Sequence, residues 1–167
     1  MKDLRKYMSP DRMKKIVVIA VIFATLIFIF ARSAKSPEQS TAESDKVADI
    51  VATIIPPTTE TGLFINENIR KIAHFLEYGL LGMECAFYVL FFEKDKRRGA
   101  ALMGAFGFAS AFLDETIQIF SNRGPAISDV WLDLSGFVTL SLLTFVGPAI
   151  YSLVKRTEKT NATKTES

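Results

Sequence analysis

The sequence predicts an all-α polytopic membrane protein, a bundle of four transmembrane helices with the N and C termini inside. Three observations carry this. Of the 167 residues, 49% are hydrophobic and 23% charged, and the mean hydropathy of +0.24 is higher than one soluble core of this size requires. The charges crowd the two ends and a few short bridges, leaving long aliphatic and aromatic stretches that suit lipid. Lys and Arg are also shared unequally between alternate connections, as the positive-inside rule expects.

Residues 1–15 read as a basic cytoplasmic tail containing Lys2, Arg5, Lys6, Arg12, Lys14 and Lys15. Residues 16–31, sixteen uncharged residues, form the first span. That run is short against the roughly 20 residues a bilayer core needs, and Ala31 and Ser33 are small enough for signal-peptide cleavage. Its wealth of Ile and Phe favours a retained signal anchor. Residues 32–68 are an external linker, polar at its start. Within it Val47, Ile50, Val51 and Ile54 recur at helical spacing after the potential caps Ser44 and Asp45, and Pro56 and Pro57 end the run. This is a short amphipathic helix, lying on the outer membrane face or packed over the spans.

Residues 69–154 hold the other three spans, at 72–92, 99–120 and 130–154. The middle one covers about 33 Å at 1.5 Å per residue, just enough to cross. Residues 155–167 read as a cytoplasmic polar tail, disordered over TEKTNATKTES. The tails and the bridge after the second span hold fourteen Lys and Arg, whereas residues 32–71 and the turn at 121–129 hold six, so that turn faces outside.

Twenty basic and 18 acidic residues are too balanced for a nucleic-acid footprint, and no DNA- or RNA-binding motif is present. A lone cysteine, Cys85, allows no internal disulfide and reads as packing, as does Met83. A lone histidine, His74, rules out any site requiring two imidazoles.

The polar residues of the last three spans gather at one depth. Lys71, His74 and Glu77 open the second span; Asp114, Glu115 and Gln118 close the third; Arg123 occupies the turn; Asp129 and Asp133 open the fourth. Lys71, His74 and Tyr78 share one helix face, as do Asp114 with Gln118 and Asp129 with Asp133, Gly136 following on that stripe. Ionised groups beside hydrocarbon cost several kcal/mol each, so these should turn inward and pair. Lys71 and Arg123 are the expected cations against Asp114, Glu115, Asp129, Asp133 and Glu77, leaving the cluster short of positive charge; protons, a metal ion or a cationic ligand would relieve it. The plain alternative is an ion-pair network that merely locks three helices together, with Arg123 paired to Asp129 or Asp133, or clamping the turn to Asp114 or Glu115. Glu84, deeper in the second span, has no evident partner.

The run RKIAHFLEYGLLG at 70–82, then DETIQIF at 114–120, Arg123, Asp129, Asp133 and Gly136, resembles the VanZ-like family of small bacterial membrane proteins over about 69–146. The family takes its name from a protein encoded with glycopeptide-resistance genes and associated with reduced susceptibility to teicoplanin, so the resemblance implies an antibiotic-resistance process at the cell envelope and not a reaction. Many members carry Asn where this chain has Asp133, which adds one negative charge here.

Three functions compete. In the first, the protein binds a polar or ionic group of a glycopeptide, a lipid-linked cell-wall precursor or an anionic envelope polymer. Arg123, Lys71 and His74 contact the acidic group, and Asp114 and Glu115 orient them. In the second, it is a membrane-embedded hydrolase or transferase acting on a lipid-linked substrate. His74 with Glu77 or Glu115 then serves as acid and base, or His74 with Asp114, Asp129 and Asp133 holds a divalent metal. No nucleophilic Ser or Cys stands in a recognisable setting. Ion-coupled transport ranks last, because the acidic residues lie on one side instead of crossing the midplane.

Overall fold

A computed structural model describes residues 9–124 and 126–165. The first eight residues of the basic tail, Pro125 of the turn, and the last two residues lie outside it. The described residues form five helices: α1 (Pro10–Ser33), α2 (Pro37–Ala52), α3 (Glu60–Phe92), α4 (Lys96–Phe120) and α5 (Ile127–Thr165). Among the described residues four segments are long and apolar enough to cross a membrane: Pro10–Ser33, Glu60–Phe92, Lys96–Phe120 and Ile127–Pro148. The described residues contain no strand.

Local chemistry sets the helix ends. Ser9 caps α1 by accepting from the Arg12 amide at 3.3 Å, with Pro10 pre-set for the first turn. Helix α2 starts at a capping box in which Ser36 and Gln39 each accept from the other's amide. It therefore begins eight residues before the cap expected at Ser44, because Ser36 followed by Pro37 is the stronger start signal. Thr59 caps α3, and Asp95 caps α4 by accepting from the amides of Arg97 and Arg98 at 3.1 Å. The Lys96 ammonium donates to the carbonyls of Val89, Leu90 and Glu93 and so closes the end of α3, where Val89 also accepts from the Glu93 amide at 3.4 Å.

Three elements outrun their expected limits: α1 starts at Pro10, six residues before 16 and within the expected basic tail, and α3 and α5 go further. Helix α3 begins twelve residues before 72, because the polar turns from Glu60 to Lys71 are helical but too hydrophilic to register as a span. Helix α5 continues through Thr165 where a disordered tail was expected; no Gly or Pro follows Pro148 to interrupt it.

α1, α3, α4 and α5 run up and down in turn, with α3 touching all the other helices. The dominant packing joins α3 to α5 and depends on glycine. A Cβ on Gly82 would lie 2.2 Å from the Phe137 carbonyl oxygen, and one on Gly136 would lie 2.2 Å from that of Phe75. Helices in lipid gain little from the hydrophobic effect, so such close backbone approach supplies the dispersion that joins them. Phe137 fills the space beside Gly107 of α4, and Tyr78, Leu81, Cys85, Ala111, Ile22 and Ile29 complete the core. Phe23, Ile27, Phe28, Leu102, Phe112 and Leu142 point outward as a lipid-compatible surface.

Helix α2 folds back along the first turns of α3. Val51 and Ile55 line a small gap there with Gly62 and Ile65, while Val47, Ile50 and Ile54 remain exposed. At this same end the close of α1, the beginning of α5 and the close of α4 come together around His74 of α3.

Candidate functional site

A cavity of about 440 Å³ opens at the α2 end of the bundle. Arg70, Lys71 and His74 of α3, Gln118 of α4, Arg123 of the turn and Asp129 of α5 are among its lining residues. Glu67, one turn before Arg70 and Lys71, adds a second acid. The volume lies within the range of small-molecule sites.

Each side chain is held from a different element. Gln118 donates to Glu115 at 2.6 Å and to Asp114 at 3.2 Å, and its carbonyl oxygen accepts from Arg70 at 3.3 Å. One amide thus ties a cavity cation to two buried carboxylates. The second oxygen of Glu115 accepts from the Ala126 amide at 3.0 Å, pinning the turn to α4. Asn122 adopts φ of 55°, a left-handed conformation that asparagine tolerates well.

Arg123 is buried and donates to the carbonyls of Arg32 and Ser33, each at 3.4 Å. Among the described residues it makes no ion pair with Asp114, Glu115, Asp129 or Asp133, so neither expected pairing is formed. The end of α1 offers carbonyls without helical donors and the negative end of its dipole, which together attract a guanidinium. Its Nε has no partner. Asp129 accepts from its neighbour Ser128 at 3.2 Å.

Behind the cavity wall lies a more buried group. The Nδ1 atom of His74 is 3.4 Å from an oxygen of Asp133 and 3.8 Å from one of Asp114, and both carboxylates are 0% exposed. Both Asp133 oxygens and one Asp114 oxygen lack hydrogen-bond partners. Donor atoms of the three residues lie within 4.8 Å of one another, an arrangement capable of holding a metal ion. Asp129, weighed as a fourth donor, stands outside this group.

The remaining expected residues are placed elsewhere. Tyr78 lies in the core and donates to the Ser110 carbonyl at 3.1 Å, so it does not line the cavity. Glu77 pairs with Arg32 of α1, which approaches Glu43 of α2, while Lys35 also binds Glu43. Lys35 beside Glu43 holds that carboxyl below the ordinary carboxylate range. Glu84 has a partner after all, accepting from the Thr25 hydroxyl at 2.9 Å.

Lys71 and Arg123 are therefore not the only nearby cations. Arg70 and Arg32 belong with them, yet among the described residues only Glu77 of the five acids pairs with one of these cations, and the buried group of His74, Asp114 and Asp133 has none of them. Arg70 had a readable signal, since Glu67, Arg70, Lys71 and His74 continue one helix face backward. Arg32 had none, because its partner is 45 residues away on another helix.

No curated protein and no solved structure matches the chain. The model of the VanZ/LLP1 family matches residues 17–148. That match takes in the cavity, the buried carboxylates, three membrane-length helices and most of the first, and the chain belongs to the VanZ/LLP1 family.

Proposed function

We propose that this VanZ-family membrane protein works in the bacterial cell envelope by binding the acidic group of an envelope ligand in the 440 Å³ cavity, and thereby contributes to glycopeptide, notably teicoplanin, resistance. The ligand is a glycopeptide, a lipid-linked cell-wall precursor or an anionic polymer. Both termini lie in the cytoplasm and the cavity faces outward, a reading supported by the excess of Lys and Arg at the opposite end.

The observation that carries the proposal is the convergence of Arg70, Lys71 and Arg123 on one cavity containing two acids, Glu67 and Asp129. Arg70 and Arg123 present planar donors that match a carboxylate or phosphate. Their attachments to Gln118 and to the end of α1 reduce the ordering needed on binding. The test is teicoplanin susceptibility in a strain whose resistance the parent chain raises. Arg123→Ala and Lys71→Ala, at matched membrane levels, should abolish most of the increase; full retention by both counts against the proposal.

A second reading, a hydrolase or transferase acting on a lipid-linked substrate, is favoured by His74. Its ring reaches the cavity while two carboxylates stand behind Nδ1, an arrangement that orients an imidazole for acid–base work. The lipid profile of membranes containing the parent chain or His74→Gln tests it. Identical profiles would leave binding alone.

A further inference from the structure

We infer that His74, Asp114 and Asp133 form a binding site for one divalent transition-metal ion. This stands on the buried group itself and does not depend on the acidic-ligand reading.

The first support is charge. With both carboxylates ionised and the imidazole neutral, the three side chains carry two negative charges at a depth where Asp114 and Asp133 are 0% exposed. A divalent ion neutralises them. Three nearby cations are engaged elsewhere, Arg70 with Gln118, Arg123 with the end of α1 and Arg32 with Glu77, and Lys71 lines the cavity with no ion pair to either carboxylate among the described residues.

The second support is the unfilled bonding capacity. Both Asp133 oxygens, one Asp114 oxygen and the His74 Nδ1 have no hydrogen-bond partner. A buried polar atom without a partner is costly, and three residues from three helices direct theirs at one point.

The third support is spacing. Tetrahedral bonds of about 2.0–2.1 Å place neighbouring donors about 3.3 Å apart. The His74 to Asp133 separation of 3.4 Å already meets this, the His74 to Asp114 separation of 3.8 Å is close, and the whole set lies within 4.8 Å.

The donor set also selects the ion. One imidazole with two carboxylates suits Zn²⁺, Mn²⁺, Fe²⁺ or Co²⁺. Calcium takes about six to eight oxygens, more than this group offers. Because the ring of His74 lines the cavity, the site adjoins the region assigned to the ligand.

The experiment uses the full chain in detergent micelles, stripped with a chelator and titrated with Co²⁺ and Zn²⁺, without any envelope ligand. The expected result is one ion per chain, with the visible absorption of nitrogen- and oxygen-bound Co²⁺. Asp133→Asn and His74→Gln should each weaken binding by about tenfold or more, while Glu84→Gln, a membrane acid outside the group, should leave it unchanged. Zn²⁺ should raise the melting temperature of the parent chain and not that of Asp133→Asn, provided each variant elutes as the parent does. A parent chain that binds no Co²⁺ or Zn²⁺ overturns the inference, as does equal weakening by Glu84→Gln, which would indicate non-specific attraction to acids. Loss of teicoplanin protection in Arg123→Ala with metal binding intact would separate this site from the cation-lined cavity.

Discussion

Removal of the Glu115 carboxylate should loosen the connection between α4 and α5. Its oxygens accept from Gln118 and from the Ala126 amide in a largely buried setting. Glu115→Ala leaves the Ala126 amide unpaired and Gln118 with Asp114 alone, and the expected loss is about 1–3 kcal/mol for a donor that stays buried. Thermal unfolding in detergent measures it, and Glu115→Gln should retain more of the stability than Glu115→Ala. At this scale the sequence was legible wherever partners occupy one helix. One-turn spacing placed His74 on its face, and Asp114 with Gln118 on theirs. It was silent on Arg123, whose partners are the carbonyls of Arg32 and Ser33. Every residue has such a carbonyl, so no side-chain pattern announces which helix end will attract a guanidinium.

Glycine substitutions should separate tight helix contacts from open ones. Gly82→Val puts a side chain where even a Cβ would meet the Phe137 carbonyl oxygen at 2.2 Å, so α3 and α5 must part. Gly104→Ala has nothing within 4 Å of its new carbon and gains helix propensity. Gel filtration in mild detergent should show Gly82→Val aggregated and Gly104→Ala behaving as the parent. The junction of α1 and α2 should respond to pH. Since the carboxyl of Glu43 is held below its ordinary value by Lys35, its contribution is complete above the usual carboxylate range and is lost as pH falls through the lowered value. Proteolysis of the connection around 34–36 should therefore speed up in acid for the parent, and Glu43→Gln should be equally susceptible at both pH values. Hydropathy made the spans readable because lipid demands long apolar runs. The polar first turns of α3 and the helical end of α5 were not readable, since no solvent requirement marks their limits.

The proposed arrangement of the whole molecule has a direct check. Asn122 is exposed in the turn beside the cavity, whereas Cys85 is buried, so Asn122→Cys supplies one reactive thiol against a quiet background. A membrane-impermeant maleimide added to intact cells should label Asn122→Cys and leave Lys94→Cys, at the opposite end, unlabelled until the cells are opened. The reverse pattern would place the cavity in the cytosol. The length of α3 has one more consequence. His74 stands about 27 Å from the Phe92 end of the helix at 1.5 Å per residue, whereas the hydrocarbon layer is about 30 Å thick. With Phe92 at one edge of that layer, the mouth beside His74 would lie about 3 Å inside the other edge, next to the headgroups of that leaflet. A molecule anchored there by fatty or isoprenoid tails could offer its polar head sideways, keeping its tails dissolved in the bilayer throughout.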